Sequence, residues 1–67
     1  MNIGILGSSF IAESFINDSR NIEGINIVSS YSRSLDKAKA FGKKMNIPKS
    51  FDNMDMFLND ADIDLVY

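Results

Sequence analysis

Cysteine, histidine and tryptophan are all missing from this 67-residue chain, and proline occurs once. Without cysteine there can be no disulfide and no thiolate metal site. Without histidine the chain lacks the commonest metal ligand and the usual general base near neutral pH, so any catalytic imidazole must come from elsewhere. No apolar run approaches the roughly 20 residues that a bilayer-spanning helix needs, and no basic segment with a long apolar core opens the chain. The expectation is a cytoplasmic protein with no membrane partner. Positive charge is also scarce: 7 Lys and Arg stand against 9 Asp and Glu, for a formal net charge of -2. The absence of a basic stripe disfavours nucleic acid as a partner. Asn17-Asp18-Ser19 matches the glycosylation sequon, which has no use without a secretory signal.

What remains is ordinary globular composition, 45% hydrophobic and 24% charged, in a chain long enough for one small unit. No repeat, low-complexity segment or linker divides residues 1–67. The pattern switches repeatedly between short β-rich runs and segments of helical spacing, which predicts an α/β fold. A continuous apolar strand, Asn2 to Leu6, comes first, as expected where both sheet faces are covered. A helix from Phe10 to Ser19 follows, with Ile11, Ala12, Phe15 and Ile16 at one-turn spacing to pack on the sheet. After Gly24 a second strand runs from Ile25 to Tyr31. Ser34 is placed to cap a second helix, whose Leu35, Ala38, Phe41 and Met45 recur at three and four residues. Lys43 and Lys44 fall in its last turn, where they suit the helix dipole. Pro48 stops helical continuation, and Lys49 to Phe51 makes a short third strand. Asn53 can cap a third helix bearing Met54, Phe57 and Leu58 on one face. Ala61 to Tyr67 then reads as a fourth strand. The expected sheet is parallel, in the order 3-2-1-4 with right-handed crossovers. Because the chain stops inside that fourth strand, it reads as the N-terminal piece of something larger.

Between the first strand and first helix stands Gly7-Ser8-Ser9-Phe10-Ile11-Ala12. The dinucleotide fingerprint asks for Gly-x-Gly-x-x-Gly/Ala at this place, because a bent backbone and a helix N-terminus receive a pyrophosphate there. Gly7 supplies the first position and Ala12 the third, but Ser9 occupies the middle one. A serine adds a Cβ where backbone and phosphate approach closely, and its hydroxyl can compensate by donating to a phosphate oxygen. Backbone N–H groups from about Ser9 to Ile11 would face the pyrophosphate. The plainer reading of Gly7, Ser8, Ser9, Phe10 and Ile11 is an ordinary strand-to-helix turn with a polar cap.

Roughly 20 residues beyond the motif, an NAD binder places a carboxylate on the ribose, whereas an arginine accommodates a 2'-phosphate. Counting from Ala12 reaches Ser32 and Arg33. No acid ends the second strand, and Arg33 can pair bidentately with phosphate, Ser32 can donate to it, and Lys37 can add charge. NADP is therefore the preferred cofactor, with NAD still open. A solvated loop charge is the alternative for Arg33, as exposed helix surface is for Lys37.

Two other strings carry no function. Ser34-Leu35-Asp36-Lys37 matches the Ser-x-x-Lys of penicillin-recognising enzymes, but the partner motifs are absent. Asp60-Ala61-Asp62-Ile63-Asp64 alternates acids like a calcium loop, yet Leu65 holds the glycine position. Met54 and Met56 read as packing residues, and Phe15, Phe41, Phe51 and Phe57 fall at core spacings.

Several local strings, taken in order, resemble the N-terminal domain of the glucose-fructose oxidoreductase and inositol dehydrogenase family (Gfo/Idh/MocA). They are Ile11-Ala12, Ser32-Arg33, Lys37-Ala38-Lys39-Ala40-Phe41, Ile47-Pro48 and Asp64-Leu65-Val66-Tyr67. The resemblance spans essentially the whole chain and implies a Rossmann-type parallel sheet with flanking helices, incomplete, in the order β-α-β-α-β-α-β. It also implies that residues 1–67 are the N-terminal part of a NAD(P)-binding domain. The parent would be an oxidoreductase that moves a hydride between nicotinamide and a sugar, inositol or related polyol, and a homo-oligomer. The family's catalytic lysine, in a Glu-Lys-Pro string, and its later aspartate and histidine match no position here, so this segment should have no activity by itself. A nucleotide-binding regulatory or sensor domain without redox chemistry, or an NAD-retaining lyase or hydrolase, are the alternatives.

Overall fold

The computed structural model describes residues 1–67, folded as β1 (Asn2–Leu6), α1 (Phe10–Ser19), β2 (Asn26–Tyr31), α2 (Leu35–Met45), β3 (Lys49–Phe51), α3 (Met54–Leu58) and β4 (Leu65–Val66). The strands form one parallel 4-stranded sheet in the order β3-β2-β1-β4. This is the expected Rossmann-like topology, in which β1 lies at the centre and its C-terminal end faces the switch point between crossover directions.

Alternation along β1 sorts its side chains to the two faces of the sheet. Ile3 and Ile5 join Ala12 and Ile16 of α1 and Phe41 and Met45 of α2 in one apolar cluster, closed below by Ile47. Gly4, between them, faces the other way, toward α3. A Cβ at Gly4 would lie 2.9 Å from Ile63 Cδ1 and 3.0 Å from the Phe57 ring, so glycine is what lets α3 approach the sheet. Phe57 is fully buried there, with its ring 5.8 Å from that of Tyr31 and 5.9 Å from that of Phe51. Ser29 and Ser30 keep the middle of β2 thin and are fully buried, and their hydroxyls have no partner.

Helices α1 and α2 are tied to each other by polar contacts at their rims. The Arg20 guanidinium donates to the Met45 carbonyl at the C-terminus of α2, and Lys44 pairs with Glu13 at 3.2 Å. Asn46, at φ 57, ends α2 in the left-handed conformation that asparagine tolerates.

Four expectations need correction. The second strand begins at Asn26, because the Ile25 N–H turns back to the Ile22 carbonyl at 3.3 Å. The fourth strand is only Leu65–Val66 and not Ala61 to Tyr67. The Asp60 carboxylate accepts from the Asp62 N–H at 3.0 Å and the Ile63 N–H donates to the Asp60 carbonyl, which folds 60–63 into turns. Ile11 does not pack on the sheet; it is exposed, since the buried stripe of α1 passes through Ala12, Ile16 and Ser19. On α3 only Phe57 is buried, and Met54 and Leu58 are exposed.

Candidate functional site

Where β1 ends, the chain must leave the sheet and immediately begin a helix. Gly7 makes that turn at φ +97, and a Cβ there would meet nothing within 4 Å. Space is therefore not the constraint; the backbone conformation is. The Gly7 N–H donates to the Tyr31 carbonyl at 2.9 Å, which fixes the turn against the end of β2.

Ser9 differs in kind. Its backbone, at φ -77 and ψ 167, is extended and suits any residue. Its Oγ accepts from the Ala12 N–H at 3.2 Å, and its carbonyl accepts from the Glu13 N–H at 3.1 Å, so it is the N-cap of α1. Because Oγ uses a lone pair for the cap, its proton remains available to a ligand oxygen. The Ser8 and Ser9 N–H groups have no partner in the chain, and those of Phe10 and Ile11, in the first turn, have none within the helix. Several donors and the positive end of α1 thus converge beside the turn.

The C-terminal ends of β1 and β2 border an open cleft of about 480 Å³, within the size range of small-molecule sites. Gly7 and Ser8 line it from the turn, and Ser32, Arg33, Ser34 and Lys37 line it from the end of β2 and the start of α2. Arg33 and Lys37 form no ion pair in the chain, and no acid lines the cleft. Ser32 is held by its N–H donating to the Phe51 carbonyl at 3.1 Å. Ser34 stands at the N-cap of α2 as expected, yet its side chain makes no capping bond.

Of the residues marked in the sequence, Gly7, Ser8, Ser32, Arg33 and Lys37 come together in this cleft. Ser9, Phe10 and Ile11 lie outside its lining; Phe10 is 82% exposed. Ser34 and the apolar residues Leu6, Tyr31 and Met54 also line the cleft, although the sequence marked none of them as site residues. For Met54 the available signal was its place directly after the Asn53 cap, which sets it at the rim where strands of an α/β sheet end.

Elsewhere, no three His, Cys, Asp or Glu side chains gather as a metal site. Asp60 and Asp62 pair instead with Lys49, at 3.2 and 2.6 Å, and the Asp64 carboxylate accepts from the Asn2 N–H at 2.8 Å. No helix is long and apolar enough to cross a membrane.

Comparison with known proteins gives these features a family. An uncharacterized oxidoreductase of Rhizobium meliloti, ORF334, is 35% identical over 68 residues, covering 100% of this chain and 20% of that protein. A crystal structure from Desulfitobacterium hafniense, of a protein assigned as an NADPH-dependent oxidoreductase, superposes with a TM-score of 0.87 at 26% identity, covering 98% of this chain and 19% of the other. An NAD-binding oxidoreductase from Klebsiella pneumoniae has the same fold, with a TM-score of 0.90 at 19% identity over 98% of this chain and 20% of its own. The chain spans about a fifth of the length of the relatives it matches. Residues 1–67 all match the model of the oxidoreductase family with an NAD-binding Rossmann fold (GFO_IDH_MocA), and the chain belongs to that family.

Proposed function

We propose that this chain is the dinucleotide-binding part of an NADP-dependent dehydrogenase acting on a sugar, inositol or related polyol. The observation that carries the cofactor choice is the lining of the cleft, which combines Arg33, Lys37, Ser32 and Ser34 with no carboxylate. An acid at that place would serve the ribose hydroxyls of NAD and repel a 2'-phosphate; a guanidinium does the reverse. The relative assigned as NADPH-dependent, at 26% identity, supports the same choice.

The bound nicotinamide would supply or accept the hydride. Toward it, this chain's residues bind and orient. Gly7 sets the turn, and the Ser8 and Ser9 N–H groups with the N-terminus of α1 hold the pyrophosphate. The Ser9 hydroxyl donates outward, and Arg33, Ser32 and Lys37 hold the 2'-phosphate. Phe10 and Ile11 flank the turn on its solvent side. None of these groups is suited to exchange a proton with a carbinol, so the acid/base belongs to the rest of the parent enzyme. The family resemblance carries the expectation of a homo-oligomeric parent.

The test is titration of the full-length protein with NADPH and NADH. The expected result is tighter NADPH binding, with Arg33→Ala removing about tenfold or more of that preference, a factor typical of a lost charge-assisted pair. Equal or tighter NADH binding, untouched by Arg33→Ala, would overturn the assignment.

A further inference from the structure

We propose that Ser50, a residue of β3 outside the cleft, is a positioning residue for cofactor selectivity: through its bond to α2 it holds Lys37 where the 2'-phosphate is met. The inference rests on the reading of this cleft as an NADP site.

The two halves of α2 are attached to the sheet by different means. Phe41 and Met45, in its second half, enter the apolar cluster with Ile3, Ile5 and Ile47. In its first half only Ala38 is buried, while Leu35 is 37% exposed. A methyl group covers little surface and forms no ridge to interlock with the sheet, so packing alone does not fix how the first turn sits. Nor does a side-chain cap hold that turn, since Ser34 makes no such bond. The directional contact comes from the sheet beneath. Ser50 Oγ donates to the Ala38 carbonyl at 3.2 Å, and Ala38 directly follows Lys37, which lines the cleft.

Gly42 makes that contact possible. One turn after Ala38, a Cβ at Gly42 would lie 2.9 Å from Ser50 Oγ and 3.3 Å from the Ile47 carbonyl, so a side chain there would take the place of the hydroxyl. Ser30, the register partner of Ser50, is buried on the same row, and its hydroxyl makes no bond. Ser50 is therefore the hydroxyl that ties the start of α2 to the sheet. Its influence is local. Ser32 is held separately by the Phe51 carbonyl, and the Gly7 turn by the Tyr31 carbonyl. A shift of the first turn of α2 thus moves Lys37 while the pyrophosphate end of the cleft stays in place, and only a ligand bearing a 2'-phosphate registers it.

The experiment titrates the full-length protein and its Ser50→Ala, Lys37→Ala and doubly substituted forms with NADPH and NADH. Ser50→Ala should lower the ratio of NADPH to NADH affinity by about three- to fivefold, the scale of one exposed charge pair, with NADH binding unchanged. On top of Lys37→Ala, the same substitution should change nothing further. Gly42→Ala, which displaces the Ser50 hydroxyl without removing it, should reproduce the fall. A preserved ratio in Ser50→Ala, equal losses of both cofactors, or a fall that persists without Lys37 would overturn the proposal. If Ser50→Ala does not fold, the pair Gly42→Ala and Ser50→Ala, in which the added methyl fills the space of the lost hydroxyl, is judged by the same outcomes. If the unmodified protein shows no preference for NADPH, the NADP reading and the role of Ser50 fall together. If the preference is present and Ser50→Ala leaves it intact, only the role of Ser50 falls.

Discussion

Gly7 and Ser9 stand two residues apart in one turn and answer to different requirements. At Gly7 the constraint is φ +97, in a space otherwise open. Gly7→Ala should therefore destabilise through backbone strain, by about 1–3 kcal/mol, without any clash. Ser9 is at ease as a serine, and its value lies in the cap on Ala12. Ser9→Ala should cost about 1 kcal/mol and Ser9→Gly only a few tenths. Denaturant unfolding of the full-length variants checks this order, and a Ser9→Gly variant weaker than Ser9→Ala would show that the cap does not matter. Cofactor titration of the same pair then isolates the hydroxyl: if it donates to phosphate, both lose affinity. From the sequence, Ser9 reads as a variant at the glycine position with a hydroxyl that can compensate, and the extended backbone that suits a serine there is hidden, because letters carry no φ. Met54 was hidden for a related reason, since helical spacing cannot separate the residue that enters the core from one that rims a cleft.

The turn leading into β4 is held by Lys49 at the start of β3, which reaches both Asp60 and Asp62. Hydrogen bonds to these two carboxylates raise the Lys49 pKa above its ordinary 10.5. The Asp62 N–H, with Lys49 adding to it, lowers the Asp60 pKa below its ordinary 3.8. The signs define a window. Asp60 contributes stability that is present above about pH 4 and lost as pH falls through its lowered folded value. Lys49 contributes stability that is complete below about pH 10 and lost as pH rises through its raised one. Amide exchange at Asp62 and Ile63 should thus show constant protection between these limits and loosen below the acid one, with Asp60→Asn flattening the acid limb. An acid limb that survives in Asp60→Asn would mean that another carboxylate governs the loop. The same turn explains why the fourth strand was overread. Ala61, Ile63 and Leu65 alternate with Asp62 and Asp64 at the strand period, but Asp60 competes for the backbone by bonding two residues on, and local turn chemistry prevails. Where no side chain competes, as in Asn2–Leu6 and Lys49–Phe51, the strands fall where the pattern places them. The crossover order was likewise legible, because short parallel strands separated by helices admit few topologies.

The cleft is lined by Arg33 and Lys37 and by no acid, which makes the net charge of -2 a poor guide to it. Asp64 is tied to Asn2 at the start of β1, and the cleft opens at its far end, past Leu6. Four residue steps of strand separate the two, about 13 Å, in a body measuring 29 × 24 × 17 Å. That distance exceeds the Debye length of about 8 Å at physiological ionic strength. Asp64 is therefore largely screened from a ligand that Arg33 and Lys37 would meet directly. A 2'-phosphate brings nearly two additional negative charges to that contact. On the proposed reading, NADPH affinity should fall more steeply with salt than NADH affinity. Between about 0.05 and 0.5 M salt, the range over which screening shortens to a few ångströms, the preference for NADPH should shrink severalfold. Arg33→Ala should reduce that salt dependence together with the preference itself. Parallel salt profiles for the two cofactors would mean that Arg33 does not meet the 2'-phosphate, whatever the absolute affinities. A steeper NADPH profile that Arg33→Ala leaves intact would move the contact to Lys37, to be read from Lys37→Ala.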